Sequence, residues 1–172
     1  MTYSRTQLAG ALFFVAAAQF ILGITISEAL YPGYSISENY VSNLGTGPSA
    51  IVFNSSVFLL GLLLAIGTYN LKQISNLKTV NTLLCLMAVG AMGVGIFTQD
   101  FTVAHGIVSS IAFFFSGLSA IASSKVLKKP FSIISIVLGA MTLGALALFS
   151  IGLVVSGSFT SNIAYDSSFY LG

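Results

Sequence analysis

Residues 8–27 read LAGALFFVAAAQFILGITIS, a run in which no side chain is charged. A helix rises 1.5 Å per residue, so a run of this length spans about 30 Å, the thickness of the hydrocarbon core of a bilayer. Backbone inside hydrocarbon has to satisfy its own hydrogen bonds, so the run predicts a transmembrane helix. It exceeds the roughly 7 to 15 apolar residues of a signal peptide, and no small-x-small cleavage site follows it before Glu28. We therefore expect this helix to be retained.

Four further apolar runs follow the first. The chain has 56% hydrophobic and only 6% charged residues, whereas soluble domains carry about 25% charged residues. So few charges cannot form the polar shell of a soluble fold. The sequence predicts an all-α fold, a polytopic transmembrane up-down bundle of about five helices, in a single integral membrane domain over 1–172. The predicted helices are 8–27, 50–69, 80–97, 106–124 and 131–155.

The charged residues predict the orientation of the bundle. Cytoplasmic loops are enriched in lysine and arginine, and five helices place all six basic residues on one side. The acidic residues then fall on the other side. We expect a multi-pass protein of the cell membrane with a cytoplasmic N-terminus and an extracytoplasmic C-terminus. The basic residues are Arg5, Lys72, Lys78, Lys125, Lys128 and Lys129, and the acidic ones are Glu28, Glu38, Asp100 and Asp166.

Small and polar residues inside the runs predict how the helices pack. Ala91 and Gly95, and likewise Ala140 and Gly144, have the four-residue spacing that lets helices approach closely in lipid. Gln19 lies in the middle of the first run and is expected to hydrogen-bond a neighbouring helix. The connections are short, so consecutive helices are expected to be antiparallel neighbours.

The connection 28–49, EALYPGYSISENYVSNLGTGPS, is predicted to be a structured external loop. Its tyrosines suit a membrane interface, and its glycines and prolines mark turns. Ser35, three residues before Glu38, resembles a capping box, which predicts a short surface helix over 36–44. The polar tail 156–172 is expected to form an interfacial cap or an ordered external loop. The candidate binding residues of the long loop are Tyr31, Tyr34, Ser35, Glu38, Asn39 and Ser42.

A second external connection contains the only histidine. It reads TQDFTVAH over 98–105 and holds Asp100 and His105. With Glu38, these two are weak candidates for acid/base catalysis, and histidine also titrates near pH 6.5. The structural interpretation is that His105 caps or orients the fourth helix and hydrogen-bonds the long loop. No H-x-x-x-H or C-x-x-C spacing is present, so no metal site and no cofactor is predicted.

Two stretches resemble a known family. YPGYSISENYVSNLG at 31–45 and GIFTQDFTVAHGIVSSIAFFFSG at 95–117 are similar to the DUF998 family of bacterial and archaeal integral membrane proteins. Asn43 and Thr98 stand where the family pattern has an Asp and a Pro. The resemblance also implies six helices where this chain has five apolar runs, and it implies no activity. The matching residues are Tyr31, Pro32, Gly33, Tyr34, Ser35, Asn39, Ser42, Leu44, Gly45, Gly95, Phe97 and His105.

Three functions remain open. Small-residue helix faces and the lack of charge inside the membrane favour an accessory or scaffolding subunit of a membrane protein complex. Its partners would be the lipid bilayer and other membrane subunits. The basic residues form no stripe, so no nucleic acid is expected. The alternative is an outer-leaflet enzyme or a lipid- or metal-binding module that uses the external loops, although we favour a protein that is not an enzyme. A transporter or channel component is the third hypothesis.

Overall fold

The computed structural model describes residues 4–72 and 77–155, and within them the protein is helical without strands. All five long helices are long and apolar enough to cross a membrane. The predicted all-α fold with five transmembrane helices is therefore confirmed. The helices are α1 Arg5–Leu30, α2 Ala50–Leu71, α3 Lys78–Ile96, α4 Thr102–Ser123 and α5 Phe131–Val155.

Two helices extend further into polar sequence than predicted. α1 begins before its apolar run because Ser4 forms a capping box with Gln7, whose backbone N–H lies 3.2 Å from Ser4 Oγ. α4 begins at Thr102, so that His105 lies in its first turn. A search for apolar runs stops at the first polar residues, whereas a helix continues through them at the membrane surface. The tail 156–172, with Asp166, lies outside the described residues.

Consecutive helices are antiparallel. Gly23 of α1 meets Ser56 of α2, while Phe13 lies against Gly67, so one helix ascends as the other descends. The remaining neighbours alternate in the same way. At the other end of the sequence, Ser132 Oγ of α5 donates to the carbonyl oxygen of Ser124, which follows α4, at 2.9 Å. All six basic residues therefore lie at one end of the helices, here called the basic end, and the described carboxylates lie at the opposite end, the acidic end.

Extensive packing in the described chain joins only helices that are consecutive in sequence. α2 and α3 lie in the middle of this row. A third (33%) of the most apolar 18 residues is buried in each of them, against 6% in α5. The core clusters follow the same pattern: Ala16, Leu64 and Ala88 join α1, α2 and α3. The first three helices therefore form the packed centre, and α5 is its most exposed member.

Small residues set the closest helix approaches. A Cβ on Gly95 would lie 2.7 Å from the Asn54 carbonyl oxygen, and Ala91 is buried, so the predicted Ala91–Gly95 face packs as expected. Within residues 4–72 and 77–155, the expected packing of the Ala140–Gly144 face of α5 on a neighbouring helix is wrong. Gly139 approaches Gly117 of α4, while a Cβ on Gly144 would have nothing within 4 Å. Spacing alone does not tell which of two small-residue faces meets the neighbour.

The loop 31–49 is ordered but does not contain the predicted surface helix over 36–44. The backbone N–H groups of Glu38 and Asn39 both donate to the Ser35 carbonyl oxygen, at 3.0 and 2.8 Å. Asn39 Oδ1 accepts from the Ser35 N–H at 3.1 Å, and Ser35 Oγ pairs with Ser37 Oγ instead of capping a helix. These bonds close a turn, and 3-10 helices follow at Val41–Gly45 and Gly47–Ser49.

Candidate functional site

Leu44 anchors the long loop at the acidic end of α1, α2 and α3. This side chain is fully buried and packs with Phe53 and Val57 of α2. Burying a leucine side chain contributes about 2 kcal/mol. Partly buried side chains of the loop, of α1 and of α3 complete the cluster: Phe20, Ile24, Tyr31, Tyr34 and Val94. The loop is thus part of the packed structure at the acidic end.

Hydrogen bonds reinforce this anchor at Leu44 and at Gly45, the next residue. Ser49 Oγ is fully buried and donates to the Leu44 carbonyl oxygen at 2.8 Å. Asn54 Nδ2 of α2 donates to the Gly45 carbonyl oxygen at 2.9 Å, where a Cβ on Gly45 would lie 2.7 Å from Asn54 Oδ1. Carbonyl groups buried by the loop are therefore paired with polar side chains from α2 and its N-terminus.

Tyr31 and Tyr34 form a pair beside the end of α1. Their rings are in edge-to-face contact with centroids 6.0 Å apart. The Tyr34 hydroxyl is buried and has no hydrogen-bond partner among the residues that the structure describes. Burial, and then the negative charge of Glu28, raise the pKa of Tyr34 above its usual value of 10.0. Tyr34 is therefore a neutral phenol at physiological pH, suited to donating a hydrogen bond.

The second connection is tied to α3 and α4. His105 Nδ1 lies 2.7 Å from the Phe97 carbonyl oxygen. A carbonyl oxygen only accepts, so Nδ1 carries the proton and donates. Asp100 Oδ2 accepts from Thr98 Oγ1 at 3.2 Å within the same loop. His105 therefore orients α4 as predicted, but its partner is the end of α3 and not the long loop.

The candidate residues divide into separate groups. Tyr31 and Tyr34 lie together, and Ser35 bonds Asn39, while the Glu38 side chain is exposed. Among residues 4–72 and 77–155, no three or more His, Cys, Asp and Glu side chains gather where they could hold a metal ion. Contacts that sequence reasoning missed come from Leu44, Ser49 and Asn54. In the sequence, Asn54 stands out only as a polar residue inside an apolar run, and Gln19 was identified by the same feature.

Gln19, the polar residue in the middle of the first apolar run, makes the predicted hydrogen bond. Its Nε2 donates to the Ala16 carbonyl oxygen at 3.1 Å and to the Ser56 carbonyl oxygen of α2 at 3.0 Å. The predicted bond to a neighbouring helix is therefore present. It crosslinks α1 and α2 within the membrane-spanning part, below the loop.

An open groove of about 660 Å³ lies beside the anchored loop, between the start of α2 and the end of α3. Most of its lining is apolar. Two polar residues also line the groove, Asn54 and Ser55. Within the described chain, the Ser55 side chain makes no hydrogen bond, and Asn54 Oδ1 is buried without a hydrogen-bond partner. The groove residues are Ala50, Ile51, Asn54, Ser55, Phe58, Leu59, Leu62, Gly95 and Ile96.

Five apolar helices capped by a packed polar loop define a multi-pass helical membrane protein. The sequence model described as "Protein of unknown function (DUF998)" matches residues 14–161. The chain therefore belongs to the DUF998 family. No curated protein and no solved structure shows a significant match to it.

Proposed function

We propose that this chain is an accessory or scaffolding subunit that binds a transmembrane helix of another membrane protein through the outward face of α5. One observation carries this proposal: α5 has a continuous apolar stripe that no part of residues 4–72 and 77–155 covers. Its residues recur every three or four positions, the spacing of one helix face, and all are exposed. This stripe, here called the partner face, consists of Ile133, Val137, Ala140, Gly144, Leu148 and Ile151.

The centre of the partner face suits a helix better than lipid chains. Helices associate in membranes through close van der Waals approach at small residues, and Ala140 and Gly144 provide such a site. The chain already uses this device on another face of α5, where Gly139 approaches Gly117. A second small-residue site on a different face would let α5 contact α4 and the partner helix at the same time.

The structure provides a direct test of the partner face. A Cβ on Gly144 would meet nothing within 4 Å, so Gly144→Leu obstructs a partner without a clash inside the chain. Gly10 of α1 is equally open, which makes Gly10→Leu the matched control. Photocrosslinking from Leu148 in native membranes, followed by purification in a mild detergent, should give one stoichiometric partner. This complex should be lost in Gly144→Leu and kept in Gly10→Leu.

Other outcomes would reject the proposal. Crosslinks confined to lipid, or a monomer recovered from native membranes, would show that the partner face is covered by the bilayer. A crosslink to a second copy of the chain would replace the accessory subunit with a homo-oligomer. Equal loss of the complex in both variants would place the contact elsewhere.

The proposal includes a cytoplasmic N-terminus and an extracytoplasmic C-terminus in the cell membrane. Its support is the separation of the basic end from Glu28, Glu38 and Asp100, because lysine and arginine accumulate in cytoplasmic loops. Cysteines placed at Lys72 and Glu38 in a Cys85→Ala background should react with an impermeant maleimide from opposite sides. Labelling of both from the same side would overturn the topology.

A catalytic role has less support. His105 Nδ1 is bonded to a backbone carbonyl, and Asp100 pairs with Thr98 in its own loop. We therefore propose a structural role for these two residues. His105→Gln or Asp100→Asn could abolish the activity of the partner complex without changing its assembly or the stability of the chain. That result would show that the structural assignment is wrong.

A lipid-binding module of the outer leaflet is the second candidate, and the groove between α2 and α3 favours it. An apolar groove with a few polar groups is the usual form of a site for an amphipathic molecule, and Ser55 and Asn54 supply such groups here. Ser55→Phe should fill the groove and release a lipid that native mass spectrometry detects on the wild-type chain. Ile66→Phe, exposed on the same helix but outside the groove, is the control. Equal retention in both variants would exclude this site.

A further inference from the structure

The turn between α4 and α5 concentrates positive charge. Lys125, Lys128 and Lys129 lie within five residues of one another and all three are exposed. The described carboxylates belong to the acidic end, a membrane thickness of about 30 Å away. No carboxylate of residues 4–72 and 77–155 therefore lies near these lysines, and their charge is available to an anion at the membrane surface.

The turn also exposes apolar side chains beside the lysines. Val126 is 40% and Leu127 43% exposed, and Phe131 at the start of α5 is 65% exposed. Lysine side chains at a membrane surface lay their apolar stems along the hydrocarbon and raise their charged ends to the phosphates. Alternation of apolar and cationic side chains at the end of two spanning helices matches this interface better than it matches a soluble acidic protein.

The turn is ordered by backbone hydrogen bonds. The N–H groups of Val126 and Leu127 both donate to the Ser123 carbonyl oxygen at 3.0 Å, and Ser132 Oγ closes the turn on Ser124. The lysines are thus held on one compact element, so less conformational entropy is lost when an anion binds than in a flexible tail.

We propose that the α4–α5 turn, residues 124–130, is a binding site for anionic phospholipid headgroups of the leaflet at the basic end. The three ammonium groups contact lipid phosphates, and Val126, Leu127 and Phe131 insert beside the acyl chains. This site is separate from the partner face and does not depend on it. It gives the bundle a preference for anionic over zwitterionic lipid at one end.

Native mass spectrometry of the full chain with phosphatidylglycerol and phosphatidylcholine tests the site. The test variant is Lys125→Gln/Lys128→Gln/Lys129→Gln. The matched control, Arg5→Gln/Lys72→Gln/Lys78→Gln, removes equal charge from the same end but outside the turn. A lysine near an anionic surface contributes a factor of about five, and three such factors multiply to about a hundredfold. The turn variant should therefore lose between about tenfold and about a hundredfold of the phosphatidylglycerol preference. The control should lose clearly less, and Lys→Arg at the three positions should restore binding.

Three results would overturn the proposal. An unchanged preference in the turn variant would remove the lysines from the site. Equal loss in the control would assign the effect to the net charge of the basic end. Equal competition by inorganic phosphate or by an acidic peptide would mean that the turn recognises soluble anions rather than a lipid. Thermal unfolding in phosphatidylcholine, expected to be the same for all variants, checks that each one folds.

Discussion

The loop 31–49 and helix α5 differ in burial, and the irregular loop contains the more deeply buried residues. The loop has no long regular helix, yet Leu44 and Ser49 within it are fully buried. α5 is regular over its whole described length, yet only 6% of its most apolar stretch is buried. Regular secondary structure in a membrane therefore does not identify the part of a chain that holds a fold together. Here the irregular loop adds buried contacts to the core of α1, α2 and α3, whereas most of the regular helix α5 is exposed within the described chain.

The largest expected difference between these regions concerns two leucines. Leu44→Ala should lower the free energy of unfolding by about 3 kcal/mol, because it leaves a cavity among Phe53 and Val57. Leu148→Ala on α5, where the side chain is 73% exposed, should change it by less than about 0.5 kcal/mol. Circular dichroism during SDS titration of detergent micelles measures both. Similar losses would mean that the loop is not an anchor.

A pair of glycines sharpens the comparison. Gly95→Val places a side chain against the Asn54 carbonyl oxygen and Phe58, and should cost about 1–3 kcal/mol through overpacking. Gly144→Val meets open space. Apart from the modest effect of valine on helix propensity, the Gly144→Val protein should have the same unfolding free energy as the wild type in this titration. A stable Gly95→Val protein would show that α2 and α3 can separate at this point.

Two serines provide a smaller test of the same contrast. Ser49→Ala removes the hydrogen bond that the buried Ser49 Oγ donates to the Leu44 carbonyl oxygen, and should cost about 1 kcal/mol. Ser150→Ala on α5 removes a bond to the Leu146 carbonyl of its own helix and should be close to neutral. An equal cost for both would indicate that burial does not distinguish the two hydroxyls.

The smallest effect is expected at high pH, from Tyr34. Its pKa is raised in the folded protein by burial and by Glu28. The neutral phenol therefore contributes stability that is complete below the usual tyrosine pKa of about 10 and is lost as the pH rises through the folded pKa. Tyr34→Phe should flatten the alkaline end of a plot of unfolding free energy against pH. An unchanged alkaline slope would contradict the raised pKa.

The sequence predicted what depends on composition and length. Five apolar runs indicated five helices, and Gln19 indicated a bond between helices, because hydrocarbon leaves few alternatives for either feature. Choices between equivalent local patterns were not predictable. Gly139 and Gly144 offer similar small surfaces, and only the rotation of α5 against α4 selects Gly139. The turn at Ser35 was mistaken for a helix start because the spacing of Ser35 and Glu38 matches a capping box. In the structure, Asn39 Oδ1 accepts from the Ser35 N–H and Ser35 Oγ pairs with Ser37 Oγ.

The candidate site was predicted only as a region. Tyr31 and Tyr34 were identified by their suitability for a membrane interface, and they do lie in the anchored loop. His105 was expected to contact this loop, but it bonds Phe97. Which backbone carbonyl a side chain reaches depends on the spatial arrangement of two loops, and local sequence carries no information on that arrangement.

The packing of each helix on its neighbours in sequence has a consequence for biogenesis. Helices leave the ribosome one at a time, and here each new helix finds its main packing surface on the helix inserted just before it. Among the described helices, the main packing surface of each one is formed with a neighbour in sequence and not with a helix made much later. The contact order is therefore low, which favours fast folding. The chain can thus assemble as a series of hairpins that close while translation continues.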